Sequence, residues 1–308
     1  MTTALITHTA CLRHETPPGH PERVARLQSV LGALEAEEFR PLLRREAPEA
    51  SLDAIALVHD RDYIDEVLAV IPARGMVQFD ADTSASPGSR EAILRAAGAV
   101  VEGVDMVMRG EAKNVFCAVR PPGHHALPDR AMGFCLFNNV AVGAAHARAA
   151  HGLRRVAVID FDVHHGNGTE AMFFSSPEMF YASTHQWPFY PGTGRPGESR
   201  PEHIVDVPLP AGAGSAEFRR AYSETILPAL TAFRPDMLFI SAGFDAHQDD
   251  PLAQMRLNES DYAWITEELC AIASRQCQGR VVSALEGGYD LGALARSVRV
   301  HVQALMAA

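Results

Sequence analysis

The chain has 308 residues, 47% of them hydrophobic and 21% charged, which is ample apolar material for a large core. Its formal net charge of −11 argues against a nucleic-acid partner, which would need a basic face, and suits either solubility or a cationic substrate. No apolar run approaches the ~20 residues of a membrane span, Cys11, Cys117, Cys135, Cys270 and Cys277 show no C-x-x-C spacing, and the N-terminal residues lack a basic signal-peptide region, so the reading is a cytoplasmic protein with free thiols.

The elements follow in chain order. T-A-L-I-T from Thr3 reads as the first strand, followed by helical patterns over residues 23–38, 62–70 and 89–108. N-V-F-C-A-V from Asn114 is a second strand, then a helix over 138–151, and then strands V-A-V-I-D-F-D-V from Val156, M-F-Y-A-S-T from Met179 and I-V-D-V-P-L from Ile204. A helix over 216–233 precedes M-L-F-I-S-A-G-F from Met237. A helix over 261–276 precedes V-V-S-A-L-E-G-G from Val281, and a last helix starts at Leu291. Several strands are apolar throughout, as expected when both faces are covered. The alternating order predicts a mostly parallel sheet between helices, in one domain over residues 1–308. Long loops over 120–134, 185–204 and 244–260 directly follow strands, and strand C-terminal ends share the edge where parallel sheets bind ligands.

The chemistry-bearing motifs fall on that edge. I-D-F-D-V-H-H-G-N-G, from Ile159, sets Asp162 and His164 two apart, on one face of an extended segment. A catalytic zinc takes three protein ligands and keeps one position open, so a third ligand is needed from another strand end. Asp245, in S-A-G-F-D-A-H, is the natural candidate. Two carboxylates and one imidazole make a site hard enough for Fe²⁺, Co²⁺ or Mn²⁺ to compete, and an aspartate that merely caps a helix is the structural alternative. R-P-P-G-H-H-A, from Arg120, presents His124 and His125 on a turn stiffened by two prolines. Tandem imidazoles can divide acid and base work if acceptors such as Asp160 and Asn167 set their tautomers. E-G-G-Y, from Glu286, places Tyr289 on a glycine turn, where its hydroxyl can meet a developing oxyanion or simply cover the sheet edge.

In this order and spacing, with G-H-P-E-R from Gly19 and G-F-C-L-F-N-N from Gly133, the motifs resemble the zinc-dependent histone deacetylases. These include acetylpolyamine amidohydrolases and bacterial deacetylase-like proteins, and Glu286 and Asn167 look like their class II branch. The resemblance implies an arginase-like α/β fold, a three-layer sandwich around a central eight-stranded mostly parallel sheet. It implies Zn²⁺ on Asp162, His164 and Asp245, with K⁺ on backbone oxygens around Asp160, Asp162 and His164, near Ser183. His125 is similar to the general base, His124 with Asp160 to its electrostatic partner, Asn167 to the contact of the second histidine, and Tyr289 to the oxyanion donor. Gly133 and Phe134 resemble one wall of an acyl-lysine tunnel, Tyr190 the opposite wall, and Asp82 a group that holds the substrate backbone. Leu252, seven residues after Asp245, stands where polyamine-specific members carry a glutamate, so the expected substrates are acylated lysines of peptides or proteins, with acetylated polyamines as the alternative. A catalytically dead binding module would lack one of these groups, and none is missing. Self-association is left open.

Overall fold

The computed structural model describes residues 2–308. The first half of the chain forms β1 (Thr3–Thr7), α1 (Val24–Ala33), β2 (Leu43–Glu46), α2 (Leu52–Ile55) and α3 (Arg61–Val70). A small hairpin, β3 (Val77–Gln78) and β4 (Ser84–Ala85), leads to α4 (Ser89–Met108), β5 (Asn114–Cys117) and α5 (Asn139–His151). Then come β6 (Val156–Asp160), α6 (Asn167–Phe173), β7 (Met179–Gln186) and β8 (Ile204–Leu209). The last part is α7 (Ser215–Ala221), α8 (Leu227–Phe233), β9 (Met237–Ala242), α9 (Glu259–Gln276), β10 (Val281–Leu285) and α10 (Leu291–Ala307).

Eight strands form one sheet in the order β2-β1-β5-β10-β9-β6-β7-β8, parallel at every pairing. This is the expected arginase-like α/β arrangement, with helices flanking a parallel sheet. Every residue of β5, β6, β7, β9 and β10 is buried, which is why their sequences show no alternation. α4 packs on α5, and α10 packs on both α1 and α9.

The short helices α2 and α6 and the β3–β4 hairpin are absent from the sequence reading, and two further features depart from it. β2, L-R-R-E, is exposed along its length and pairs only with β1, so it carries no apolar signal; charged edge strands also discourage edge-to-edge association. The helix expected over 216–233 contains a π-helical segment, Tyr222–Ile226, between α7 and α8. Pro228 follows it closely. A proline cannot bond to the carbonyl four residues back and its ring crowds that carbonyl, here Glu224, which lies within the widened turn.

What matters for the site is the order of the central strands. β5, β10, β9 and β6 are adjacent, with Cys117 beside Ala284, Leu285 beside Ala242, and Ser241 beside Asp160. The four motifs from distant parts of the sequence therefore leave the sheet side by side.

Candidate active site

Just beyond β6, Asp162 and His164 meet Asp245 from the loop after β9. His164 Nδ1 lies 2.9 Å from Asp162 Oδ1 and 3.2 Å from Asp245 Oδ2. All three residues are buried, and their ligand-capable atoms lie within 4.8 Å of one another. The remaining carboxylate oxygens are engaged: Asp162 Oδ2 accepts Gly287 N–H at 2.8 Å, and Asp245 Oδ1 accepts Val163 N–H at 2.8 Å. A side chain at Gly243 would collide with Asp162, and one at Gly287 with both Asp162 and Asp245, so these glycines leave room for the carboxylates.

The electrostatics of this cluster call for a cation. Burial disfavours ionisation of Asp162, but the neighbouring His124 and His164 charges outweigh it and hold the carboxyl well below its usual range. Asp245 is pushed up by burial and by the Asp162 charge beside it. His164 is pushed up to about 10, because the two carboxylates outweigh the burial that opposes its charge. The side chains thus recruit a proton where a divalent ion would sit. Asp245 Oδ2 is buried and, apart from the His164 ring nitrogen 3.2 Å away, meets no hydrogen-bond donor, as suits an oxygen that faces a cation. Two carboxylates and one imidazole make a donor set that fits a divalent metal ion.

The turn after β5 delivers the histidine pair, both buried. His124 Nδ1 is 2.9 Å from Asp160 Oδ2, whereas His125 Nδ1 is 2.8 Å from the amide oxygen of Asn167. The different acceptors separate the two imidazoles. Burial opposes the charge on His124, but Asp160 and Asp162 override it and raise its pKa well above the ordinary value. Burial and the charges of His124 and His164 drive His125 well below it. Their surroundings therefore favour protonation of one ring and disfavour it on the other, an arrangement suited to a base beside a positive charge. The turn itself is anchored by Glu286, whose Oε2 accepts Gly123 N–H at 2.7 Å and His124 N–H at 3.2 Å.

Tyr289, from the turn after β10, completes the group. Burial and the Asp245 charge raise its phenol well above the usual range, so it remains a donor. Arg26 lies 4.9 Å over its ring and donates to Gly288 O at 2.6 Å. Arg26 and its buried partner Glu22, which also binds Arg120, were not singled out from the sequence. The pattern shows Arg26 only as a charged position on a helix. His165 is likewise not singled out: its Nδ1 meets Thr193 Oγ1 at 2.7 Å, its Nε2 faces the carboxylates of Glu170 and Asp206 at 2.6 and 3.3 Å, and Arg200 pairs with the same two carboxylates beneath the loop that carries Tyr190.

These groups open into a cavity of about 230 Å³. His124, His125, His164 and Tyr289 line its floor, and Phe134, Tyr190, Asp82 and Leu252 line its walls and mouth. Of the residues expected from the sequence, His124, His125, His164, Tyr289, Gly133, Phe134, Tyr190, Leu252 and Asp82 line this cavity, whereas Asp160, Asn167, Asp162 and Asp245 lie behind it, against His124, His125 and His164. Phe189, which was not expected, stacks on His164 with ring centroids 5.2 Å apart. Tyr190 stands edge-on to His125 at 5.2 Å and shares the cavity with Phe134. Phe134 adopts φ 68°, an unfavourable region for an aromatic residue, and is held there by a 3.0 Å bond from its N–H to Thr83 Oγ1 and by the His20 ring at 4.7 Å. Gly133 before it, at φ 57°, has no room for a side chain beside His125. Larger surface grooves, of about 690 and 950 Å³, gather no comparable set of groups.

Other histidines are accounted for without a catalytic part. His185 lies between Ser183 Oγ (3.0 Å) and Gly194 O (2.8 Å), and His247 Nδ1 accepts Asp249 N–H at 3.1 Å. His146 and His151 both point at Asp105, at 2.8 and 2.6 Å. All five cysteines are buried and unpaired, and no helix among the described residues is long and apolar enough to cross a membrane.

Comparison with known proteins agrees with this geometry. A family model described as the histone deacetylase domain matches residues 20–305. The chain is 40% identical over 277 residues to the histone deacetylase-like amidohydrolase of Pseudomonas aeruginosa, covering 88% of this chain and 72% of that protein. It is 37% identical over 327 residues to polyamine deacetylase HDAC10 of Homo sapiens, covering 99% of this chain but 48% of that protein. The crystal structure of the HDA15 HD domain superimposes with a TM-score of 0.93 at 34% identity, covering 99% of this chain and 88% of that one. A family match over nearly the whole length, on a fold whose four central strand ends assemble a buried metal-ligand set, two histidines and a tyrosine, leads to one conclusion: the chain belongs to the histone deacetylase family and is a deacetylase that hydrolyses amides.

Proposed function

We propose that this enzyme removes acetyl groups from the side-chain amines of lysine in peptides or proteins, with Asp162, His164 and Asp245 holding one Zn²⁺. The observation that carries the reading is the single cavity in which an apolar mouth residue, Leu252, lies above the two histidines and Tyr289. Bound at the three ligands, zinc would polarise the acyl carbonyl and acidify the attacking water. His125, neutral and oriented by Asn167, accepts the proton of that water as it attacks. His124, kept cationic by Asp160, stabilises the negative charge that builds up beside it. Tyr289 donates to the oxygen of the tetrahedral intermediate, and a protonated imidazole then delivers a proton to the leaving amine, so that acetate and a free lysine are released. Phe134 and Tyr190 flank the aliphatic part of the acyl-lysine, and Asp82 at the rim accepts hydrogen bonds from the substrate backbone.

Acetylated polyamines are the second reading, favoured by the Asp82 carboxylate at the same mouth and by the named activity of the human relative. Leu252 supports lysine instead, because an aliphatic group gives an internal ammonium no partner and burying an unpaired charge is costly. The test is kcat/KM for acetyl-lysine peptides against N8-acetylspermidine with zinc-loaded enzyme. A higher value for the peptides is expected, and a preference for the polyamine would overturn the substrate assignment.

A further inference from the structure

Tyr289 stands on a turn that is held from outside. Two glycines precede it, and Gly288 has φ 122°, a conformation that only glycine adopts readily, so the turn has no side chains of its own to fix it. Arg26 grips the turn through Gly288 O. The backbone of Tyr289 itself is gripped by Asp250, whose Oδ2 accepts the Tyr289 N–H at 2.7 Å. Oδ1 of the same carboxylate accepts the N–H of Leu252 at 3.0 Å. Asp250 is buried and anchored in turn by its own N–H to His247 O at 2.9 Å. One side chain thus ties the loop after β9, with Asp245 and Leu252, to the turn after β10.

Burial and the Asp245 charge push the Asp250 carboxyl up to about 7, and the backbone N–H groups of Leu252 and Tyr289 act against that by favouring its charged form. An apolar residue would fill the space at lower cost but could not accept two N–H groups at once. We propose that Asp250 is a positioning residue of this enzyme: it aims the Tyr289 hydroxyl into the cavity and holds Leu252 at its mouth. The inference rests on the reading of Tyr289 as the oxyanion donor given above.

The test is a double-mutant cycle on the zinc-loaded enzyme, with Asp250→Asn, Tyr289→Phe and the pair. Asparagine keeps the size but turns one acceptor into an NH₂ donor, so only one of the two N–H groups can be met. Small misplacements of a positioned group cost up to about 100-fold in rate, so kcat should fall about 10- to 100-fold, with KM changed much less. In the Tyr289→Phe background the same substitution should lower kcat by less than about twofold, because the group it aims is gone. A structural role alone would instead give the same fold-loss in both backgrounds, and that additivity, or an Asp250→Asn enzyme within about twofold of the parent, overturns the proposal. Should the asparagine variant not fold, Asp250→Ser, which keeps one acceptor, carries the same cycle to the same two outcomes. The cycle uses whichever acetylated amine the parent hydrolyses best. A parent inactive on all of them sinks the proposed function, whereas an active parent with an additive cycle sinks the role of Asp250 alone.

Discussion

Tyr289→Phe removes one oxygen and little else. The ring keeps its place under Arg26, 4.9 Å away, and its backbone keeps the bond to Asp250. Burial and the Asp245 charge push the phenol's pKa up, which favours the protonated, donating form. What disappears is a single hydrogen bond to charge that develops only in the transition state, inside a cavity of about 230 Å³ where little water can substitute. Loss of one such donor costs on the order of 10²–10³ in kcat, or about 2.7–4 kcal/mol. Ground-state binding should hardly change, since the carbonyl carries little charge before attack. The assay is steady-state release of free amine from an acetyl-lysine peptide, with kcat and KM separated, beside the affinity for the deacetylated product peptide. A variant whose kcat stays within about threefold of the parent while KM or product affinity shifts would show that Tyr289 binds substrate and does not stabilise the oxyanion.

Three further outcomes are expected. Asp245→Asn removes a charged ligand and should leave zinc occupancy well below one per chain by metal analysis; unchanged occupancy would take Asp245 out of the site. Leu252→Glu should narrow or reverse the preference for acetyl-lysine over N8-acetylspermidine, measured as a ratio of kcat/KM, and an unmoved ratio would mean that the mouth does not select substrate. His301, buried with both ring nitrogens near hydroxyls (Thr266 at 2.7 Å, Ser283 at 2.8 Å), has its pKa driven down by burial to about 3. The unfolded chain then binds the extra proton between about pH 6.5 and 3, so the contribution of His301 is full above 6.5 and declines on acidification by about 1.4 kcal/mol per pH unit. Denaturant unfolding should show that decline in the difference between parent and His301→Gln, and a flat difference from pH 7 to 5 would refute it.

The site was more legible in the sequence than its supports. Asp162, His164, Asp245, the histidine pair and Tyr289 each follow an apolar run that marks a strand, and strand ends of a parallel sheet share one edge. What could not be read is anything whose signal lies in a partner far along the chain. Glu22 and Arg120 pair across nearly a hundred residues, and both are buried charges, which local patterns assign to the surface. β2 was missed because four exposed residues at an edge show no period of burial. Phe189 looked like any aromatic in a proline-rich loop until the fold set it against His164.

The supports follow one scheme. Glu286, at the end of β10, accepts N–H groups from the turn after β5, and Asp162, after β6, accepts from the turn after β10. Asp245, after β9, accepts from the segment after β6, and Asp250 accepts from the turn after β10. Each of the four adjacent strand ends is therefore tied to another by a carboxylate that takes a backbone N–H. Such bonds are stronger than neutral ones and fix the main chain without consuming a donor side chain. They also crowd buried carboxyl groups together: burial pushes Glu286 and Asp250 each up to about 7, and ionising the whole set calls for positive charge beyond His124 and His164. The same residues that make the loops rigid enough for catalysis thereby create the demand for a bound cation. Metal removal should accordingly loosen the strand-end loops together with abolishing turnover, and faster backbone amide exchange at Val163, Gly287 and Tyr289 in the metal-free enzyme is the measurement that would reveal it. Unchanged exchange at those three amides would mean that the carboxylates hold the loops without the cation's help.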